Sequence, residues 1–172
     1  MLASELPKAE YNPYYQPYIT ILGESSFKGC LQQGSELMVD FMKSISTNKL
    51  QFAYDDGKWS VAEVLVHLID TERVFQYRAL RFARNDATSL PGFDQDAYVP
   101  HSKANKRNLD SILKEYLAVR KATISLFESF DDEMMCRGGM ASNSFMSVRA
   151  LGFLICGHER HHKQILESRY LI

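Results

Sequence analysis

Ser60-Val61-Ala62-Glu63-Val64-Leu65-Val66-His67-Leu68-Ile69-Asp70-Thr71-Glu72 begins as helices begin. Ser60 can cap the backbone amide of Glu63, and the Glu63 side chain can reach back to the amide of Ser60, a capping box. From there Val61, Val64, Leu65, Leu68, Phe75, Ala79 and Phe82 recur at helical spacing, so a helix is predicted over about 60–84. Working outward, the same period appears on both sides. Phe27, Leu31, Met38, Phe41, Met42 and Ile45 predict a helix over about 24–45, interrupted by Gly29 and Gly34. Leu109, Ile112, Leu113, Tyr116, Leu117, Ile124 and Phe127 predict one over about 106–129. Gly138-Gly139 and Ser142-Asn143-Ser144 separate it from a fourth, over about 145–168. The expected fold is all-α: an antiparallel four-helix bundle forming one domain over residues 1–172.

Composition agrees and narrows the function classes. Hydrophobic residues are 45% and charged residues 24%, as in soluble globular proteins. Only nine glycines and five prolines occur in 172 residues, which suits long helices joined by few turns. The net charge of −1 disfavours a nucleic-acid binder, which needs a basic face. No unbroken apolar run reaches membrane-spanning length, so no membrane partner is expected. Cys30, Cys136 and Cys156 are odd in number and far apart, which argues against a disulfide framework and for a reduced, cytoplasmic setting. At the amino terminus, arm 1–23 carries Tyr11, Tyr14, Tyr15 and Tyr18 between Pro13 and Pro17. Prolines four apart oppose a regular helix, so the arm is read as extended. Its rings are expected to pack on the bundle or across a homodimer.

The histidines carry the chemistry. Leu151, Leu154, His158 and Ile165 share one face of the fourth helix, so His158 stands where the pattern asks for an apolar residue. His158 and His162 lie one turn apart, the spacing by which a helix offers two nitrogens to one ion. On spacing alone His161 competes with His162, while His101 sits in a polar connection. His67 flanks the stripe of the second helix, and helices pack 8–10 Å apart, so three imidazoles could meet. Three neutral nitrogens leave a divalent ion a position for substrate. His158-Glu159-Arg160-His161-His162 also spells the H-E-x-x-H pattern, which makes Glu159 the candidate general base. The ten residues after His162 offer only Glu167 as a further ligand, and no strand pattern supports a peptide substrate, so a protease is not the reading. Cys136 near the Gly138-Gly139 break is read as a surface thiol, and Cys156 as lying on the wrong face to join His158. Glu72 falls inside an apolar stripe and needs a cation; Arg149 is the expected partner.

Taken together, these segments resemble the DinB-like, or YfiT-like, family of metal-dependent enzymes. The likeness spans nearly the whole chain. It rests on Glu10-Tyr11-Asn12-Pro13-Tyr14-Tyr15, on Lys58-Trp59 followed by the stretch quoted above, and on Arg78-Ala79-Leu80-Arg81-Phe82-Ala83-Arg84. Leu90-Pro91-Gly92-Phe93-Asp94-Gln95 and Gly157-His158-Glu159-Arg160-His161-His162 complete it. The resemblance implies a four-helix bundle and one divalent ion, zinc or nickel, held by His67, His158 and His162. It also implies a small-molecule substrate: some relatives are thiol S-transferases using low-molecular-weight thiols, others hydrolases. The competing expectation is a metal- or ligand-binding bundle of the stress response without turnover. Finally, the connection Asn85–Asn105 is longer than packing requires and is expected to wall a substrate pocket. It leaves from the end of the second helix remote from His67, about 25 Å away at 1.5 Å per residue, so it must fold back along the bundle to do so.

Overall fold

Each of the four long helices starts on a side-chain cap. Ser26 accepts from the Gly29 amide to open α2 (Phe27–Ser44). Ser60 and Glu63 form the reciprocal box that opens α3 (Val61–Ala83), with bonds of 3.2 and 2.8 Å. Asn108 caps α5 (Leu109–Glu128), and Ser147 caps α7 (Val148–Ile165). Three short helices lie outside this frame: α1 (Gln16–Thr20), α4 (Gln95–Ser102) and α6 (Asp132–Cys136). Ahead of α7, strands β1 (Gly138–Ala141) and β2 (Ser144–Ser147) pair antiparallel. This computed structural model describes residues 1–171.

The bundle is all-α in class, but its directions are mixed. His67, early in α3, meets His158, late in α7, while Arg137, just before β1, donates to the carbonyl of Ala83 at the other end; α3 and α7 are antiparallel. From Glu63–Asn105 through Arg73–Glu115 to Arg84–Phe130 the pairs rise together, so α3 and α5 run parallel. Along α2 and α7 the order Phe27–Phe153, Gly34–Glu159, Phe41–Lys163 makes a second parallel pair. The antiparallel expectation therefore holds for α3 with α7 but fails for α3 with α5. Its physical cause is the connection Asn85–Asn105, which returns along the whole bundle before α5 starts. Leu90 bridges to Ala141 at one end, and Asn105 is bonded to Ser60 and Glu63 at the other.

Two further corrections concern local structure. The arm lies along the bundle, but it is a series of short helical turns rather than a continuous extended strand. Pro13 and Pro17 each occupy the first turn of a helical segment, where a missing amide hydrogen costs nothing. Residues Phe145–Ser147 are strand, not the start of the fourth helix. Ser142 and Asn143 both take positive φ, 52° and 58°, the two-residue loop that closes a twisted hairpin.

Side-chain burial divides the core into two apolar clusters. One holds Leu31, Phe75, Phe82, Phe127, Leu151 and Phe153; the other holds Met38, Met42, Leu65, Ile69, Ile112 and Tyr116. Between them every long helix contributes a polar or minimal residue at the same level: Gly34 on α2, Glu72 on α3, Arg120 and Thr123 on α5, His158 and Glu159 on α7. The core is thus interrupted by one buried polar layer, and chemistry concentrates there.

Candidate metal centre

His67 comes from α3, and His158 and His162 from successive turns of α7. Their nearest nitrogens all lie within 4.8 Å of one another. The Nε2 atoms of His67 and His158 are 3.0 Å apart, and the ring centroids of His158 and His162 are separated by 4.5 Å. His67 and His158 are only 5% and 7% exposed, and His162 is half-buried. Thr71, one turn after His67, places its hydroxyl 3.4 Å from His67 Nδ1, and Trp59 packs in a tilted arrangement against the same ring, centroids 4.8 Å apart. Nδ1 is thereby occupied, and Nε2 is turned to the other two imidazoles.

Burial decides the protonation of the group. It pulls His67 down to about 4, and pulls His162 to about 3 with help from the neighbouring imidazoles of His67 and His161. His158 is driven well below the ordinary histidine range by burial and then by the other three rings. Neutral imidazoles are what a metal ion requires of its ligands. Two nitrogens on one ion at about 2.0–2.1 Å in tetrahedral geometry stand about 3.3 Å apart, close to the spacing His67 and His158 already have. The donor set therefore fits one divalent transition metal.

His161, the competitor by spacing, points elsewhere: its ring meets Tyr18 of α1 edge-on at 5.1 Å, and its nitrogens are not among those that converge. His101 is exposed on α4. Glu159 corrects the sequence reading. Its carboxylate accepts from the Tyr116 hydroxyl at 2.7 Å and from Arg120 at 2.7 and 3.3 Å. Both oxygens are engaged by that pair, an arrangement that gives no support to a general-base role. Glu72 takes the other side of the same guanidinium, at 2.9 and 2.8 Å, and accepts from Thr123 at 2.7 Å. Arg149, its expected partner, is bonded instead to Glu10 of the arm. Burial pushes the Glu159 carboxyl up against the opposing pull of Arg120; burial disfavours the Arg120 charge, but Glu159 and Glu72 hold its pKa well above the usual value.

Sequence reasoning missed Arg120, although the signal was the one that exposed Glu72, a charge inside an apolar stripe. It lies one turn from Tyr116 and one from Thr123, both buried. The arm's tyrosines pack on the bundle as expected, although its backbone is not extended. Tyr11 is buried, Tyr15 packs on Phe75 at 6.3 Å, Tyr18 stands 5.5 Å from His158, and only Tyr14 is largely exposed. The connection between α3 and α5 does fold back to the centre. Phe93 and Gln95 line a cavity of about 130 Å³ whose wall includes His158, Thr71 and Tyr18, while Phe93, Tyr98 and Val99 line a narrow cleft beside His67.

Comparison with known proteins gives a consistent picture. The sequence pattern of the DinB superfamily matches residues 31–166. A protein of Oceanobacillus iheyensis named "Putative metal-dependent hydrolase" is 22% identical over 123 residues, covering 70% of this chain and 70% of that one. Among solved structures, YfiT from Bacillus subtilis, described as "a probable metal-dependent hydrolase with an unusual four-helix bundle topology", superposes with a TM-score of 0.71. That likeness is one of fold: identity is 16%, over 83% of this chain and 82% of YfiT.

Proposed function

The chain belongs to the DinB superfamily, and from that premise we propose that it is a metal-dependent enzyme acting on a small molecule. The observation that carries the reading is the convergence of three neutral imidazoles, with one of them, His158, in the wall of a cavity. A closed structural site would not adjoin open space. His67, His158 and His162 would hold one divalent ion, zinc or nickel. Bound there, the ion would favour the deprotonated form of a small nucleophile and polarise an electrophile. The protein's own part is to keep the imidazoles neutral by burial, to fix the His67 ring through Thr71 and Trp59, and to shield the centre with Tyr18.

Between thiol transfer and hydrolysis, the surroundings favour the thiol. Among the described residues no carboxylate joins the three imidazoles, and Glu159 is engaged by Arg120 and Tyr116. Activating water usually draws on such a base, whereas a thiol with a pKa of about 8.5 is near ionisation unaided. Hydrolysis is the second reading, supported by the names of the relatives. Protein purified without an affinity tag should contain about one equivalent of a divalent transition metal. A panel of electrophiles with low-molecular-weight thiols, run beside ester and amide substrates, should show thiol consumption lost in His158→Ala. Metal bound without turnover in either panel would favour a binding protein, and protein that takes up no metal would sink the reading.

A further inference from the structure

Arg78 is a buried cation that the metal centre does not use. It lies on α3, two turns beyond Thr71 on the same side, and is 2% exposed. Buried charges in proteins are ordinarily paired, because an unpaired one carries a desolvation cost of several kcal/mol. Arg120 in the same bundle obeys this with two carboxylates. Arg78 does not: one terminal nitrogen donates to the Pro91 carbonyl at 3.2 Å and the Ser142 hydroxyl at 2.9 Å, and its other polar neighbour is the Tyr15 hydroxyl, so every partner is neutral. Among the described residues no carboxylate lies within ion-pair distance of it. Its guanidinium carbon stands 5.8 Å from the centroid of Phe75 and 5.9 Å from that of Phe93, so aromatic rings flank it. Burial lowers its pKa, and only the Tyr15 hydroxyl acts in the other direction.

The position of this cation matters as much as its lack of a counter-ion. Arg78 and His158 line the same cavity of about 130 Å³, and Arg78 is the only charged side chain in that lining. Five separate pieces of chain build the cavity wall: the arm, α3, the α3–α5 connection, the hairpin loop and α7. Pro91 and Ser142 take one terminal nitrogen, and the Tyr15 hydroxyl, itself in the cavity lining, is the other polar neighbour, so the guanidinium meets only neutral groups and its remaining N–H groups are open to an anion in the cavity. A planar fork presenting parallel N–H groups matches a carboxylate. One cation, with no lysine or second arginine beside it, suits a monoanion better than a phosphate dianion.

We propose that this cavity binds a small carboxylate-bearing molecule, with the carboxylate on Arg78 and the rest of the molecule directed toward the three histidines. The second half of that statement rests on the metal-dependent reading above; the anion site itself does not. The experiment separates the two. Propionate and its neutral analogue propionamide are titrated into the metal-free protein, following backbone amide shifts. Binding of propionate at least tenfold tighter than propionamide is expected, with shifts at Arg78, Phe93 and Ser142. Arg78→Met should abolish the preference. If that variant folds poorly, Arg78→Lys decides: it keeps the charge but loses the fork and should weaken propionate several-fold. No preference in the wild-type protein, or an undiminished preference in the variant that folds, overturns the proposal. In the second arm the protein is loaded with cobalt(II) and titrated with 3-mercaptopropionate and 2-mercaptoethanol. Both should give a sulfur-to-cobalt charge-transfer band, with the carboxylate thiol at least tenfold tighter and that advantage lost in Arg78→Met. Failure to bind cobalt while propionate still selects Arg78 refutes the metal reading and the orientation but keeps the anion site. Cobalt binding without carboxylate preference does the reverse.

Discussion

Arg120 stands between Glu72 and Glu159 in the middle of the core, and both carboxylates depend on it. Removing one partner of such a buried group leaves charge uncompensated, so Arg120→Met should destabilise the protein by about 3–5 kcal/mol in chemical unfolding. A loss below about 1 kcal/mol would mean that the carboxylates are neutral without it. Glu159 sits next to His158 in sequence yet serves this layer rather than the metal centre. Glu159→Gln preserves a partner for Tyr116 and Arg120, so metal content should be unchanged and kcat should stay within about threefold of wild type. A fall of a hundredfold or more with metal still bound would restore the general-base role, since removing such a base typically costs 10²–10⁴ in rate. This residue shows where motif reading runs out. H-E-x-x-H records that two histidines share a helix face, but the direction of the intervening carboxylate is set by what the neighbouring helix offers it. Here α5 offers an arginine and a tyrosine.

Among the elements, the helices were legible and the irregular pieces were not. Ser60 and Glu63 declare the start of α3 locally, within four residues, and the apolar period does the rest. The hairpin has no such period: its strands are four residues each, and Ser142-Asn143 reads equally as a helix break or a turn. The arm was misread because proline was judged by its effect inside a helix and not at its first turn. What secures the arm is tertiary contact. Tyr18 passes so close to α7 that a Cβ on Gly157 would lie 2.0 Å from the Tyr18 carbonyl oxygen. Gly157→Ala should therefore lift α1 away from His158, cost about 1–3 kcal/mol in the manner of overpacked sites, and increase proteolysis within residues 10–20. A stable, protease-resistant variant would show that the arm is not held there. A second anchor is ionic: Glu10 accepts from Arg149 Nε at 2.7 Å and from Ser147 at 2.6 Å. Burial acts to raise the Glu10 pKa, but these partners outweigh it and hold the carboxyl below its ordinary 4.5. A depressed carboxylate contributes stability above its unfolded pKa and loses it as pH falls through the folded value. Proteolysis of the arm should accordingly be constant from pH 7 to 5 and rise below about 4.5 in wild type, while in Glu10→Gln it should be high and flat.

For the molecule as a whole, helix direction and the site have a common origin. Because α3 and α5 are parallel, the chain must travel the length of α3 between them. Its 23 residues span about 34 Å at 1.5 Å per residue. About ten extended residues would suffice for that distance at 3.3–3.6 Å each. The connection has roughly twice as many, and the surplus is what builds α4 and brings Phe93 and Gln95 to the cavity. The sequence shows the excess length but not the direction of travel, which depends on the relative placement of helix ends that no local pattern encodes. Two replacements of residues 86–105 separate the mechanical from the chemical role. A two-residue Gly-Ser linker, with Arg84, Asn85, Lys106, Arg107 and Asn108 kept between the helices, spans at most about 29 Å and cannot join the ends, so the bundle should unfold or exchange α5 between chains. A fourteen-residue linker of the same composition reaches comfortably. It should keep the helical circular dichroism and the metal, because His67, His158 and His162 lie on α3 and α7, but lose at least tenfold in substrate affinity with Phe93 and Gln95 gone. A native, monomeric short-linker protein would contradict the parallel arrangement, and full activity in the long-linker protein would deny the connection any part in the pocket.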